Sequence, residues 1–220
     1  MKLVIGLFGY KTAGKTTAYN AFKEILQEAQ EITLAEKLKT VCSDVTSVPR
    51  TFFDDQDKKE KDLDCPVFMT SSMIERIYKR YDLDYDFNNH VRCHVGVVLE
   101  TPRRIAQYVG TEMLRVFSAD IHCDNAVKGI LSEVGIVTDM RFPNELDYFK
   151  DKYPRVIPVY VKRDVAEQAA AQDTHSSEKG IAILAKKAEY VMDNNDSKEG
   201  FEARIRVLAK SILNDFKGST

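Results

Sequence analysis

The feature that most constrains the fold is a glycine-containing stretch near the start of the sequence, GYKTAGKTTA. From Gly9 to Thr16 it matches the pattern G-x-x-x-x-G-K-T, in which backbone N–H groups surround a phosphate. The apolar run KLVIGLF before it predicts a buried strand, and the residues after it have apolar positions at helical spacing. Because strand, glycine loop and helix follow in this order, we interpret the stretch as a phosphate-binding loop (P-loop) rather than as a capped turn.

The residue types in this loop suit a nucleoside triphosphate. Lys15 is expected to reach the β- and γ-phosphates, and the hydroxyl of Thr16 is expected to bind Mg²⁺. The start of the following helix would add its dipole and its unpaired N–H groups. The loop by itself does not define what is phosphorylated.

Composition sets the broad class. The chain has 220 residues, of which 44% are hydrophobic and 30% charged, which predicts one globular domain over residues 1–220. The formal net charge of −2 gives no basic excess, so we expect no nucleic-acid partner. No apolar run is long enough to span a membrane or to form a signal-peptide core, and the cysteines are widely spaced. We therefore expect a cytoplasmic protein with reduced thiols and no membrane association.

Short apolar strands alternate with helical segments along most of the chain. This alternation predicts an α/β fold with a parallel sheet covered by helices on both faces. The segment HVRCHVGVVLE predicts a strand or hairpin, and TPRRIAQYVGTEMLRVFSADI predicts one amphipathic helix that begins at Thr101 and Pro102. Ligands of such sheets bind at the carboxyl ends of the strands, so the candidate functional residues are those that follow strands.

Asp139 ends the apolar run GIVTD and is the main acidic candidate. A carboxylate at that position would bind Mg²⁺ or act near the transferred phosphate; the alternative is a helix-capping aspartate. Arg141 would clamp a phosphate with its two-pronged guanidinium, unless it is a surface arginine. Glu145 begins the next helix, where its charge also suits the helix dipole.

Further cations follow other predicted strands or open helices. Arg104 and Lys39 are candidates for binding an acceptor phosphate, against the alternative of solvated surface positions, and Arg163 ends the strand VIPVYVKR near the expected nucleotide. The stretch DTHSSE interrupts a helical segment and predicts either a lid over the phosphates or a plain turn between helices. A metal site built from the His and Cys residues at 90–94 and 122–123 is the weaker alternative to ordinary packing, because their spacing fits no zinc module.

Several stretches in the same order resemble the phage-type deoxynucleoside monophosphate kinases, a branch of the P-loop nucleoside monophosphate kinase group. They are GYKTAGKTTA, LAEKLK, RRIAQYVGTEMLR, VTDMRFPNE, DTHSSE and YVMDNNDS. The resemblance covers most of the chain except roughly residues 60–100. It implies a three-layer P-loop kinase fold, with ATP as the phosphoryl donor, Mg²⁺ as the cofactor and a deoxynucleoside monophosphate as the acceptor. It also implies a function in the nucleotide biosynthesis of a bacteriophage, so the expected location is the host cytoplasm. A homodimer is a further expectation from related enzymes.

The resemblance also implies functions for individual residues. ATP would be bound by the loop residues Lys11, Ala13, Gly14, Lys15, Thr16 and Thr17, and by Arg163 and Asn195. Thr16 and Asp139 would bind Mg²⁺. The acceptor would meet Lys11, Lys39, Arg104, Gly110, Thr111, Asp139, Arg141 and Glu145. The catalytic set would be Lys15, Arg104, Asp139 and Arg141, and the lid would contain His175, Ser177 and Glu178. The acceptor-binding insertion would span about 50–118 and the lid about 165–187.

The chain departs from this family at two points. Thr16 stands where the relatives carry aspartate, and there is no Trp after the Arg103–Arg104 helix, where His122 lies instead. Two other functions remain open on the sequence. One is a P-loop kinase for another phosphorylated metabolite, of the phosphomevalonate or dephospho-coenzyme A type. The other is a nucleotide-dependent switch protein without a small acceptor.

Overall fold

The computed structural model describes residues 1–170 and 176–218. In chain order the strands are β1 (Leu3–Phe8), β2 (Gln30–Ile32), β3 (Val67–Phe68), β4 (Val98–Leu99), β5 (Val134–Val137), β6 (Arg155–Lys162) and β7 (Tyr190–Asp193). The helices are α1 (Lys15–Ile25), α2 (Glu36–Thr46), α3 (Arg50–Asp54), α4 (Ser71–Arg80), α5 (Pro102–Gln107), α6 (Ile121–Ala126), α7 (Pro143–Lys152), α8 (Asp164–Ala170), α9 (Ser176–Ala185) and α10 (Lys198–Gly218). The chain divides into two units, Met1–Leu34 with Val127–Thr220 and Ala35–Ala126.

The first unit contains a five-stranded sheet in the order β2-β5-β1-β6-β7, and every neighbouring pair is parallel. The central strand β1 has all six residues buried, as expected for a strand covered on both faces. The prediction of an α/β fold with a parallel sheet is therefore confirmed.

The two faces of the sheet receive different helices. Leu3, Ile5 and Leu7 point to one face of β1 and belong to the same apolar core as Phe22 of α1 and Phe201 of α10. On the opposite face, helices α7 and α9 pack against each other. There the absent side chain of Gly6 leaves room for Met140, whose Cε lies 2.8 Å from the position a Cβ would occupy. The sheet and the helices on its two faces form three layers. The loop between β1 and α1 lies at the carboxyl edge of the sheet because it follows the end of β1.

The second unit is mainly helical and has its own apolar core. Ile74, Ile77 and Tyr78 of α4 are fully buried and pack with residues of α2 and α5. Its only sheet, within the described residues, is the two-residue antiparallel pair of β3 and β4. The insertion predicted at about 50–118 lies within this unit. Among the helices of the described residues, none combines the length and apolar character needed to cross a lipid bilayer.

The prediction of a strand or hairpin over HVRCHVGVVLE is wrong for most of that segment. Phe87–Val91 forms a π-helical turn and Arg92–His94 a 3₁₀ turn, and only Val98–Leu99 is paired as a strand. The cause is local side-chain bonding to the backbone. The carboxylate of Asp86 accepts a hydrogen bond from the N–H of Asn89 at 2.9 Å, which starts a helical turn just before this segment, and the helical backbone continues into it as far as His94.

The prediction of a single amphipathic helix after residue 100 needs a second correction. Thr101 does cap its start, since its Oγ1 accepts from the Arg104 N–H at 3.0 Å, and Pro102 follows in the first turn. However, α5 gives way to a π-helical segment, Tyr108–Leu114, and α6 begins separately. The change coincides with buried Gly110, whose carbonyl accepts a hydrogen bond from His122 Nε2 at 3.1 Å.

His122 gives the second unit a stability that depends on pH. It is 6% exposed, and its burial lowers the pKa of the imidazole from 6.5 to about 4. The unfolded chain therefore binds a proton below pH 6.5 that the folded chain excludes until about pH 4. We expect the free energy of unfolding to fall by about 3 kcal/mol as the pH drops through this window. His122→Gln should reduce this dependence in denaturant unfolding measured at pH 4.5 and 7. An equal dependence in wild type and variant would contradict the assignment to His122.

Candidate P-loop site

The loop between β1 and α1 has glycine where the backbone requires it. Gly14 adopts the left-handed conformation with φ of 104° and is the N-cap of α1. A Cβ on Gly9 would lie 2.5 Å from the carbonyl oxygen of Val161 in β6, so this position also excludes a side chain. Within the described residues no side chain caps the start of α1. A helix start whose N-cap is glycine can bind an anion, as the sequence predicts.

Lys15 lies across this loop. Its Nζ donates to the carbonyl oxygens of Gly9 at 2.7 Å and Tyr10 at 3.0 Å. Thr16 follows in the first turn of α1 and is exposed. The structure thus places the ammonium group and a hydroxyl at the helix start, which is the arrangement that a triphosphate and its metal ion need.

Two residues from neighbouring strand ends brace the loop. Arg163, which follows β6, donates from Nη1 to the carbonyl oxygen of Thr12 at 3.1 Å. Asn194, which follows β7, donates from Nδ2 to the carbonyl oxygen of Ala13 at 2.7 Å. Asn195 makes a different contact, since its Oδ1 accepts from the Asp164 N–H at 2.9 Å. The sequence predicted Arg163 and Asn195 as ATP-binding residues but not Asn194. The available signal was its position, because Asn194 directly follows β7.

Asp139 lies just beyond β5, the strand that pairs with both β1 and β2. Its Oδ1 accepts a hydrogen bond from the Leu34 N–H at 2.8 Å, so the segment after β2 holds the carboxylate in place. Because β1 and β5 are parallel neighbours, Asp139 and the P-loop share the carboxyl edge of the sheet. The position agrees with the predicted placement, and its function stays a prediction.

Glu145 has a clear structural function. The residue is 3% exposed, and its Oε2 accepts hydrogen bonds from the N–H groups of Arg141 at 2.7 Å and Phe142 at 3.0 Å. Since Phe142 has no side-chain acceptor, Glu145 supplies the cap at the start of α7. The predicted contact of Arg141 and Glu145 with the acceptor stays a prediction.

Removal of this buried cap should destabilise the first unit. We expect Glu145→Ala to lower the free energy of unfolding by about 3 kcal/mol, because two backbone N–H groups lose their buried acceptor. Glu199→Ala is the matched control, since Glu199 lies in the first turn of α10 but is exposed, and should cost less than about 1 kcal/mol. Chemical denaturation of both variants measures the difference, and equal losses would argue against the capping function.

The second unit holds the residues expected to meet an acceptor. Arg104 donates to Glu112 Oε1 at 3.2 Å, and its guanidinium lies 5.7 Å from the centre of the Tyr108 ring. Lys39 of α2 pairs with Asp54 at 3.1 Å. Gly110 is buried and Thr111 is partly exposed, both in the π-helical segment after α5.

Close packing explains why position 110 carries glycine. A Cβ there would lie 2.7 Å from Cδ2 of Leu38, one residue before Lys39. Gly110 therefore allows α2 to pack closely against the segment after Arg104. Within this unit α2, which contains Lys39, packs against α5, which contains Arg104, and against the π-helical segment that contains Thr111.

The predicted lid is only partly within the described residues. His175 lies outside them, and the backbone of Ser177 and Glu178 forms the start of α9.

The alternative metal site is not formed in the described residues. No three His, Cys, Asp or Glu side chains there are grouped to hold a metal ion. His94 Nδ1 instead pairs with the Tyr108 hydroxyl at 2.8 Å, while His122 binds the Gly110 carbonyl. These contacts agree with the packing interpretation.

The described geometry defines an α/β protein with a P-loop at the carboxyl edge of a parallel sheet. No protein-family model matches the sequence. The chain is 25% identical over 223 residues to a protein of Acanthamoeba polyphaga mimivirus named "Putative deoxynucleotide monophosphate kinase", with 92% of this chain and 94% of that protein covered.

Solved structures give more distant similarities. They include TT1252 from Thermus thermophilus, with a TM-score of 0.46, 14% identity and 97% coverage of each chain. Dephospho-CoA kinase from Campylobacter jejuni has a TM-score of 0.41 and 13% identity, with both chains fully covered. Shikimate kinase from Acinetobacter baumannii has a TM-score of 0.38 and 13% identity, with 100% of this chain and 95% of that chain covered. Because these TM-scores are below 0.5, the fold assignment rests on the strand order and helices of this chain.

Proposed function

We propose that this protein is an ATP-dependent kinase that converts nucleoside or deoxynucleoside 5′-monophosphates to diphosphates. The observation that carries the proposal is the P-loop geometry, with left-handed Gly14 at an α1 start that no described side chain caps and Lys15 across the loop. The similarity to the mimivirus protein supports a monophosphate as the acceptor.

The donor site suits ATP with Mg²⁺. Thr16 offers a hydroxyl and Asp139 a carboxylate, and Mg²⁺ prefers oxygen ligands of this kind. When bound, the ion would neutralise charge on the phosphates. Lys15 would exchange the carbonyl oxygens of Gly9 and Tyr10 for phosphate oxygens, because an ammonium group is attracted more strongly to an anion than to a neutral carbonyl group.

The acceptor cations are held by partners that a phosphate can displace. Arg104 pairs with Glu112, and Lys39 with Asp54, in ion pairs of partly exposed side chains. Such pairs contribute only about 0–1 kcal/mol, so a phosphate can replace the carboxylate at small cost. The acceptor phosphate is already ionised near neutral pH, since its second pKa is about 6. Catalysis then depends on positioning and charge neutralisation rather than on a strong general base.

An assay of ADP release with ATP, Mg²⁺ and a panel of acceptors tests the proposal. The panel contains dTMP, dGMP, dCMP, 5-hydroxymethyl-dCMP, dAMP, the ribonucleotides and phosphomevalonate. We expect turnover that depends on a nucleoside monophosphate, and the accepted bases then define the substrate range. Turnover with phosphomevalonate alone would keep the P-loop mechanism and overturn the acceptor class. Slow ADP release that ignores every acceptor would overturn the kinase and favour a switch protein.

A further inference from the structure

We propose that Asn194 is a positioning residue that aims one backbone N–H of the P-loop at the nucleotide phosphates. The inference rests on the proposed use of this loop for ATP. Asn194 Nδ2 donates to the carbonyl oxygen of Ala13 at 2.7 Å, although the two residues are 181 positions apart in the chain. This contact fixes the peptide unit between Ala13 and Gly14.

The geometry of a trans peptide gives that contact its consequence. The C=O and N–H of one peptide plane point in opposite directions. Because Asn194 holds the Ala13 carbonyl toward the turn after β7, the N–H of Gly14 points away from that turn. Within the described residues, this N–H has no hydrogen-bond partner in the protein. The conformation also requires glycine, since φ is 104° and a Cβ would lie 2.3 Å from Asn194 Nδ2.

Asn194 is itself held firmly. Its own N–H donates to the carbonyl oxygen of Lys162 at 2.8 Å, which extends the pairing of β6 and β7 by one residue. Arg204 of α10 supports the same turn by donating to the Asp193 carbonyl and to the carboxylate of Asp196. The amide therefore projects from a rigid strand end, and the loop peptide gains a fixed orientation before any nucleotide binds.

Nucleotide binding by the purified full chain tests this inference separately from catalysis. Calorimetric titration with AMP, ADP and ATP in Mg²⁺ compares wild type with Asn194→Ala and Asn194→Asp. We expect Asn194→Ala to weaken the binding of ADP and ATP by about 3- to 10-fold, because one oriented hydrogen bond to the β- or γ-phosphate is lost. The affinity for AMP, which lacks both of these phosphates, should not change. Asn194→Asp keeps the shape but loses the donor, so it should weaken ADP and ATP at least as much.

Asn20→Ala is the matched control, because Asn20 is exposed on α1 and its side chain makes no hydrogen bond with the described residues. Circular dichroism checks that each variant is folded, and Asn194→Ser serves if Asn194→Ala is not. Equal weakening of AMP, ADP and ATP would overturn the inference, since the lost contact would then not depend on the β- and γ-phosphates. Unchanged ATP affinity in both donor-lacking variants would overturn it as well. If wild type binds ATP but phosphorylates no acceptor, the proposed function fails while this inference stands.

Discussion

Lys15→Ala is expected to lower kcat by about 10²- to 10³-fold. The ammonium group is the cation placed within the P-loop, and it would stabilise negative charge on the transferred phosphoryl group in the transition state. In the structure its Nζ donates hydrogen bonds to the carbonyl oxygens of Gly9 and Tyr10, which hold the ammonium group at the loop. Steady-state kinetics at saturating ATP and acceptor measure the effect.

The control for this variant is Lys210→Ala, which removes an exposed ammonium group from α10. It should retain wild-type kcat. Thermal unfolding of both variants establishes that they are folded. A folded Lys15→Ala protein with undiminished turnover would remove the basis for assigning the loop to phosphoryl transfer.

Arg104→Ala is expected to lower kcat/KM for the acceptor by about 100-fold and to change the KM for ATP by less than about 2-fold. The guanidinium would make charged hydrogen bonds to the acceptor phosphate, each of which contributes about 1.5–3 kcal/mol. Its present pair with Glu112 is between partly exposed side chains, so the variant should lose less than about 1 kcal/mol of unfolding free energy. Initial rates over a grid of both substrate concentrations separate the two KM values.

Arg104→Lys should recover only part of the loss, because an ammonium group cannot bind a phosphate through two parallel hydrogen bonds. Arg80→Ala is the surface control, since Arg80 pairs with Asp44 on the exposed side of α4. A rise in the KM for ATP that equals the loss for the acceptor would contradict the assignment of Arg104 to the acceptor.

The P-loop could be predicted because its signal is local. A buried strand, two required glycines and a helix with Lys15 and Thr16 at its start occur within a few consecutive residues. The placement of Asp139 was also predictable, since the carboxyl end of an apolar strand in a parallel sheet defines where the following side chain lies. Alternating apolar strands and helices likewise sufficed for the fold class.

The segment after residue 86 shows where such patterns fail. The apolar alternation over 90–100 predicted a strand or hairpin, but Asp86 forms a hydrogen bond to the backbone of Asn89 and begins a helical turn that continues into this segment. In the same way, the periodicity after Thr101 predicted a continuous helix, whereas close packing at Gly110 coincides with a π-helical segment. Side-chain bonds to the backbone and close approach to Leu38 are not encoded in periodicity.

The sequence by itself determined the phosphate loop, the parallel α/β sheet and the strand ends that carry the candidate residues, because each depends on short-range order. Only the tertiary structure decided that Glu145 is a buried helix cap and that Asn194 holds the Ala13 carbonyl. The contact of Asn194 joins residues 181 positions apart. Such contacts exist only once the strands are ordered in the sheet, because the sheet order brings the end of β7 to the loop after β1.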